Sequence, residues 1–260
     1  MTFIRQVFDI AVKYRGQLLS GVGITVLIAL TGTLAGLLIG LVTGVIRTAP
    51  LSGRKPLRVL HKILNGIIAV YIEVFRGTPM MVQAMVIFWG FAFALGGQTL
   101  PLIPSGIVIV SINTGAYMAE IVRGGIISVD RGQMEGALSV GMTHRQAMIH
   151  VVLPQVLRNI LPSVSNEFVI NIKDTSVLNV IGVTELYYMA GVIHMMNSQI
   201  FQTYAVISVL YFLLTFTVTR LLRLAEKKLD GGDTYTICGS QSDPDAEIHI
   251  RRDAGEEAGR

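Results

Sequence analysis

The sequence predicts an all-α integral membrane protein with about five transmembrane helices, and three observations support this prediction. First, 52% of the 260 residues are hydrophobic and only 15% are charged, with a mean hydropathy of +0.59, whereas soluble domains carry about 25% charged residues. Second, several apolar stretches are each long enough to cross a bilayer. Third, Lys and Arg cluster in alternate connections between these stretches, a pattern that sets membrane topology.

The chain divides into three parts. Residues 1–20 form an amphipathic segment that is expected to lie on the membrane surface. Residues 21–228 form the membrane domain, and residues 229–260 form a polar tail that is expected to be disordered and cytosolic. The predicted spans cover residues 21–46, 63–95, 105–122, 160–189 and 204–222.

Charge predicts the orientation of these spans. Lys and Arg occur between the first and second spans, between the third and fourth, and after the fifth, and are absent from residues 94–104 and 188–203. The positive-inside rule therefore predicts an external N-terminus and a cytosolic C-terminus. A net charge of +4 on such a chain is a topology signal and does not indicate a nucleic-acid partner. The single cysteine excludes an internal disulfide.

The first span contains a glycine every fourth residue, at Gly32, Gly36, Gly40 and Gly44. Small residues at this spacing lie on one helix face and let another helix approach closely. The stripe therefore indicates helix packing.

Four polar residues interrupt the fourth span. They are Lys173, Asp174, Thr175 and Ser176, inside the otherwise apolar stretch NEFVINIKDTSVLNVIG. Charges within a span are costly and tend to mark function, so this group indicates a transport path, an ion relay or a buried salt bridge. Because adjacent helical residues point about 100° apart, Lys173 and Asp174 do not both face one partner.

Other polar residues in the second and third spans allow more than one interpretation. Glu73 with Arg76, and Glu120 with Arg123, are three residues apart and are expected to pair locally. The run from Arg76 to Pro79 predicts a break in the second span, either a simple proline kink or backbone that lines a cavity. The third span also carries two polar residues on one face, suited to a substrate contact, a partner subunit or a helix–helix hydrogen bond: Asn113 and Tyr117.

The connection formed by residues 124–157 is long for a simple link between spans. It predicts a helix over residues 132–139, a break at Gly141 and Met142, and a second helix that ends at Leu153 before Pro154. Such a helical pair either docks on a partner or lies unpartnered at the membrane interface.

The same connection resembles the EAA loop of permease subunits of ABC importers. Glu135, Ala137, Gly141, Leu153 and Pro154 follow the pattern E-A-A-x3-G-x9-I-x-L-P. The chain departs from it in having Gly136 in place of the usual Ala and Val151 in place of Ile. The stretches YIEVFRGTPMMVQ, INTGAYMAEIVRGGI, GQMEGALSVGMT and INIKDTSVLNVIGVTEL resemble the polar-amino-acid branch of that family, with wording most similar to glutamine permeases.

The resemblance implies a type I permease fold and a multi-pass location in the bacterial cytoplasmic (inner) membrane. It implies two permease subunits, identical or sister chains, a cytosolic ABC ATPase dimer, an extracytoplasmic binding protein and a polar amino-acid substrate. The chain itself is expected to be no enzyme and to need no cofactor, because ATP hydrolysis is assigned to the separate ATPase. Consistent with this, the sequence contains no G-x-x-x-x-G-K-[ST] motif.

The resemblance also assigns roles to residues. ATPase coupling is expected of Glu135, Gly136, Ala137, Gly141 and Met142. The substrate path is expected to include Asp174, Thr175, Ser176 and Asn113, because a carboxylate suits an ammonium group and hydroxyls suit a carboxylate or amide. A structural or path-lining role is expected of Lys173, Glu73, Arg76, Pro79, Tyr117 and Glu120.

Two other classes remain open from the residues alone. An ion-coupled secondary amino-acid transporter also places charges at mid-membrane and breaks its helices, but it has no need of an EAA-type loop. A membrane scaffold accounts for the glycine stripe and leaves Lys173, Asp174 and the broken second span unexplained.

Overall fold

The computed structural model describes residues 2–49, 55–229, 235–237 and 248–250. Within these residues the α-helices are α1 (Phe3–Lys13), α2 (Arg15–Thr48), α3 (Lys55–Gly77), α4 (Met80–Ala94), α5 (Leu102–Ser128), α6 (Arg131–Ser139), α7 (His144–Ala147), α8 (Leu153–Asp174), α9 (Leu186–Asn197) and α10 (Ile200–Leu229). A π-helical segment, Met148–Val152, joins α7 to α8, and a 3-10 segment, Thr175–Ile181, follows α8.

The tail contributes two short described strands. They are β1 (Tyr235–Ile237) and β2 (Ile248–Ile250), which pair antiparallel with Tyr235 opposite Ile250. The rest of the predicted disordered tail lies outside the described residues.

Four helical segments in the described part of the chain are long and apolar enough to cross a membrane. They are α2, α5, the continuous helix from His144 to Ile181, and α10. A fifth crossing forms if α3 and α4 count as one span, and these two are bent by 115°. The all-α fold of the membrane domain, with about five spans, is therefore confirmed. The break predicted at the Arg76–Pro79 run is confirmed as well, between Gly77 and Met80.

Every predicted span differs from the observed helix at one or both ends, as at the first and fourth spans. α2 begins at Arg15, before the predicted start at residue 21, and only Tyr14 separates it from α1. The predicted fourth span continues to residue 189, whereas the observed helix ends at Ile181. Gly182 has φ 88°, a left-handed conformation that favours glycine. The chain turns there before α9, whose N-terminus is capped by the Glu185 side chain.

The loop between α5 and α8 has the predicted helix and glycine break but not the predicted stop. Gly141 has φ 89°, its N–H donates to the carbonyl of Leu138, and the N–H of Met142 donates to that of Ala137. These two bonds form the Schellman motif that ends many helices. α6 therefore ends as the sequence predicts.

Pro154 does not end the second helix of the loop, and that expectation is corrected. The chain runs through it from His144 to Ile181. The π segment lies directly before the proline, and the Leu153 N–H reaches the carbonyl of Met148, five residues earlier. Because a π turn is wider than an α turn, it relieves the clash of a proline ring with the preceding carbonyls.

The core of the membrane domain is the contact between α2 and α5. The glycines of the predicted stripe each face a residue of α5, and these α5 residues also recur every four positions: Val110 at Gly32, Thr114 at Gly36, Met118 at Gly40 and Val122 at Gly44. A Cβ atom at Gly36 would lie 2.8 Å from the Cβ of Thr114. The packing role predicted for the stripe is confirmed, because a side chain there has no room.

We expect Gly36→Val to prevent normal packing of α2 on α5. Overpacking of a core costs about 1–3 kcal/mol or more, and here the obstacle includes the backbone of Gly115, whose nitrogen would lie 3.1 Å from the new Cβ. The matched control is Gly23→Val, because the space around Gly23 on the same helix is open. Size-exclusion profiles and thermal unfolding in detergent should distinguish the two variants. Equal stability of both would contradict this account of the interface.

The N-terminal helix belongs partly to the bundle. Ile10 on α1, with Tyr14 and Leu18, joins a buried cluster formed with residues of α9 and α10. Ile4 and Phe8 remain exposed on another face of α1. α1 therefore has two apolar faces, one packed on the protein and one left for the membrane surface.

Candidate functional site: a polar cavity and a helical loop

A polar cavity of about 250 Å³ lies where three elements of the membrane domain meet. The break between α3 and α4, the middle of α5 and the end of α8 supply its walls. The cavity is lined by Thr78, Pro79, Met80, Asn113, Thr114, Tyr117, Glu167, Ile170, Asn171 and Asp174. Polar groups at this depth in a membrane protein line paths or sites more often than they face lipid.

Gln83 stabilises the break between α3 and α4, which forms one wall of the cavity. Its side-chain N–H₂ donates to the carbonyls of Phe75 and Thr78, each at 2.9 Å, and to the Thr78 hydroxyl at 2.8 Å. The Phe75 and Thr78 carbonyls lie where the chain leaves the helix, and Gln83 supplies a donor to them. The Gln83 carbonyl oxygen in turn accepts from Asn113 at 2.8 Å, which links the break to α5.

A buried polar network fixes α8 against α2 and α5. The side-chain amide of Asn171 donates to the Thr33 hydroxyl at 2.7 Å, and its oxygen accepts from the Thr114 hydroxyl at 3.1 Å. With both amide functions bonded, Asn171 sets the rotation of α8. That rotation determines which residues of α8 reach the cavity.

Two carboxylates project from α8 into the cavity. Glu167 is only 4% exposed and Asp174 is half-buried. Among the described residues neither forms a hydrogen bond or an ion pair. Arg76 and Asp174 are both within electrostatic reach of Glu167, and the Arg76 guanidinium lies 5.4 Å from the centre of the Tyr117 ring. The cavity thus contains two carboxylates that can bind a cationic group, and the Arg76 guanidinium lies at its edge.

The predicted path residues divide into two groups in the structure. Asp174, Asn113, Pro79 and Tyr117 line the cavity together. Thr175 and Ser176 do not line it, and their place in the substrate path stays a prediction. The chain tightens into the 3-10 segment at Thr175, whose buried hydroxyl donates to the carbonyl of Ile172 at 3.0 Å.

Lys173 faces away from the cavity. It lines a separate groove between α8 and α10, as its rotation of about 100° from Asp174 requires. Of the two neighbouring charges, the structure therefore directs Asp174 to the cavity.

The two expected ion pairs have different outcomes. Arg123 donates to Glu120 at 2.9 Å, and Arg47 of α2 also pairs with Glu120, so this group ties α2 to α5. Glu73 and Arg76 form no ion pair in the described structure, because Glu73 is exposed and Arg76 lies over Tyr117.

The residues expected to couple to an ATPase form the tip of the helical loop. Glu135, Gly136 and Gly141 are exposed, Met142 is half-buried and Ala137 is buried. Asp130 accepts from the N–H of Gly132 at the start of α6. At the start of α7, a capping box pairs Thr143 with Gln146. The tip is therefore a well-capped helical pair with an exposed acidic residue.

Glu167, Gln83 and Asn171 are cavity or supporting residues that the sequence reasoning missed. Helical spacing could have identified Glu167 and Asn171, because they lie with Asp174 at positions i, i+4 and i+7 on one helix face. Gln83 carries no such signal, since its role depends on a 115° bend.

Comparisons with known proteins agree with this architecture. Residues 32–231 match the family of binding-protein-dependent transport system inner membrane components. The glutamine transport system permease protein GlnP of Escherichia coli K12 is 34% identical, over 82% of this chain and 92% of its own length. The L-cystine transport system permease protein TcyB of Bacillus subtilis is 34% identical, over 81% of this chain and 85% of its own length.

Solved structures agree as well. A crystal structure of an amino acid ABC transporter with histidines matches with a TM-score of 0.72 and 35% identity, covering 88% of this chain and 99% of that one. An inward-facing structure of the MetNI methionine ABC transporter matches with a TM-score of 0.66 at 18% identity, which supports the fold alone. The chain therefore belongs to the family of binding-protein-dependent transport system inner membrane components.

Proposed function

We propose that this chain carries a polar amino acid through the cavity between α4, α5 and α8, as the permease subunit of an ATP-driven amino-acid importer. The observation that carries the proposal is the pair of unbonded carboxylates, Glu167 and Asp174, in a polar cavity of about 250 Å³ at membrane depth. Relatives named as glutamine and cystine permeases support an amino-acid substrate, with glutamine as the best candidate.

The cavity chemistry suits a zwitterion. Glu167 and Asp174 offer charge-assisted hydrogen bonds to an α-ammonium group. Arg76 from α3 and the Tyr117 hydroxyl from α5 suit an α-carboxylate. Because Asn113 and Asn171 are engaged with Gln83 and Thr33, they support the walls of the site.

The exposed helical loop is proposed to transmit the ATPase movement. α6 and the start of α7 present Glu135, Gly136, Gly141 and Met142 to a cytosolic ATPase, while buried Ala137 anchors the loop. The π segment continues directly into α8, which carries Glu167 and Asp174. A displacement of the loop therefore reaches the cavity along one continuous helix.

Family membership implies an ATPase and a substrate-binding protein as partners. We assign the chain to the bacterial cytoplasmic membrane, with the N-terminus outside and the C-terminus in the cytosol, and pair it with a second permease, identical or sister. ATP hydrolysis belongs to the separate ATPase. The ion-coupled alternative has no support among the relatives.

Purification of the tagged chain from its own host, followed by reconstitution into vesicles, tests this proposal. We expect an ABC ATPase to co-purify, and glutamine uptake with the binding protein present to require ATP and to resist ionophores. Uptake that proceeds without ATP and stops when an ion gradient is collapsed would contradict the importer.

A further inference from the structure

A second groove, of about 290 Å³, lies between α8 and α10 on a different face of α8 from the polar cavity. Three cations line it, Lys173 from α8 and Arg220 and Arg223 from α10, and none of the described carboxylates does. None of the three forms an ion pair with another described residue. The charge of the groove therefore favours an anion.

The shape of the groove limits which anion suits it. Phe212, Phe216, Arg220 and Arg223 follow one face of α10 at helical spacing. The Arg220 guanidinium lies 5.0 Å from the centre of the Phe216 ring, and this cation–π contact holds it beside the groove. The two phenylalanines and Val169 supply an apolar wall next to the cations.

One end of the groove lies near the basic end of α10, where a lipid headgroup is expected. α10 has 30 residues, which extend about 45 Å, whereas the hydrocarbon core is about 30 Å thick. Arg220, Arg223, Lys227 and Lys228 gather at one end of α10, and such clusters mark the membrane boundary. Arg220 and Arg223 are therefore expected to reach the phosphate layer. Phe212 lies two turns deeper, toward the acyl chains, and Lys173 lies deeper as well, beside Asp174 of the polar cavity.

We propose that this groove binds the phosphate of an anionic lipid, with an acyl chain along the phenylalanine wall. The planar fork of an arginine matches phosphate geometry, and basic pockets between transmembrane helices are known sites for anionic headgroups. Free phosphate would pair with the cations but leave the apolar wall uncovered. The lipid satisfies both parts of the groove.

Native mass spectrometry of the full chain in detergent, titrated with phosphatidylglycerol or phosphatidylcholine, tests the proposal. The wild type is expected to retain phosphatidylglycerol preferentially. The double variant Arg220→Gln, Arg223→Gln should lower its affinity about tenfold or more, since each cation near a membrane surface contributes about 1 kcal/mol. The matched control is Lys227→Gln with Lys228→Gln, which removes two exposed cations from the same end of α10 outside the groove and should have little effect.

Equal loss in both double variants would overturn the site in favour of general charge attraction, and so would unchanged binding in the arginine variant. Displacement of the lipid by inorganic phosphate at constant ionic strength would assign the groove to a soluble anion. Carbodiimide cross-linking of Lys173 to a carboxylate of a second chain would assign it to a subunit contact. If the arginine variant does not fold, Lys173→Gln on the other helix gives the same test.

Discussion

Gly141→Val is expected to lower both co-purification of the ATPase and ATP-driven uptake about tenfold, while the membrane domain stays folded. Gly141 has φ 89°, a region in which a β-branched residue is a genuine outlier. A left-handed conformation costs a residue with a side chain about 1–2 kcal/mol, which corresponds to about a tenfold loss of the docking-competent turn.

The position of Gly141 makes this a test of the loop alone. No atom lies within 4 Å of a Cβ built at Gly141, so the variant creates no clash and acts through the backbone turn between α6 and α7. The matched control is Gly136→Ala on α6, where the space is also open and φ is not in the left-handed region. This control should keep the ATPase and gain up to about 1 kcal/mol of helix stability.

Two outcomes would contradict the role assigned to the turn at Gly141. One is an ATPase that stays bound to the Gly141→Val protein. The other is a Gly136→Ala protein that loses the ATPase to the same extent, which would mean that docking depends on the surface of α6 and not on the turn.

Asp174→Asn and Glu167→Gln are each expected to lower amino-acid uptake about 10- to 100-fold while assembly with the ATPase survives. A hydrogen bond to a charged group contributes about 1.5–3 kcal/mol, and each variant replaces a carboxylate in the cavity by an amide of the same shape. Initial uptake rates at increasing amino-acid concentration, with co-purification measured in parallel, check this prediction.

Glu73→Gln is the matched control for both variants. Glu73 is an exposed carboxylate on α3 that does not line the cavity, so uptake should stay near the wild-type rate. Normal uptake by a fully assembled Asp174→Asn protein would remove Asp174 from the path. Equal losses in all three variants would indicate a general effect of charge.

Much of this architecture was predictable because the bilayer imposes strong local rules. Uncharged stretches of sufficient length identify spans, the Arg76–Pro79 run marks a break, and a glycine at every fourth position marks a helix interface. The ends of helices were less predictable. Pro154 is a helix stop by local rules, but the π segment before it carries the helix onward, and Gly182 ends the fourth span before residue 189.

The cavity was predictable only in part. Asp174, Asn113, Pro79 and Tyr117 were each polar or helix-breaking residues in an apolar context, and such residues stand out in a sequence. Gln83 does not, because one glutamine near a helix start has many possible partners. Its role appears only once a 115° bend brings it to the carbonyls of Phe75 and Thr78.

The sequence by itself determined the membrane class, the number of spans, the glycine interface, the helical loop and the relation to importer permeases, since these follow from local composition and spacing. Only the tertiary structure decided how Lys173, Asp174, Thr175 and Ser176 are divided. Helical periodicity sets the angle between neighbouring residues but not the rotation of the whole helix. That rotation is set by Asn171, bonded to Thr33 and Thr114 on two other helices, and it directs Asp174 into the cavity and Lys173 toward α10.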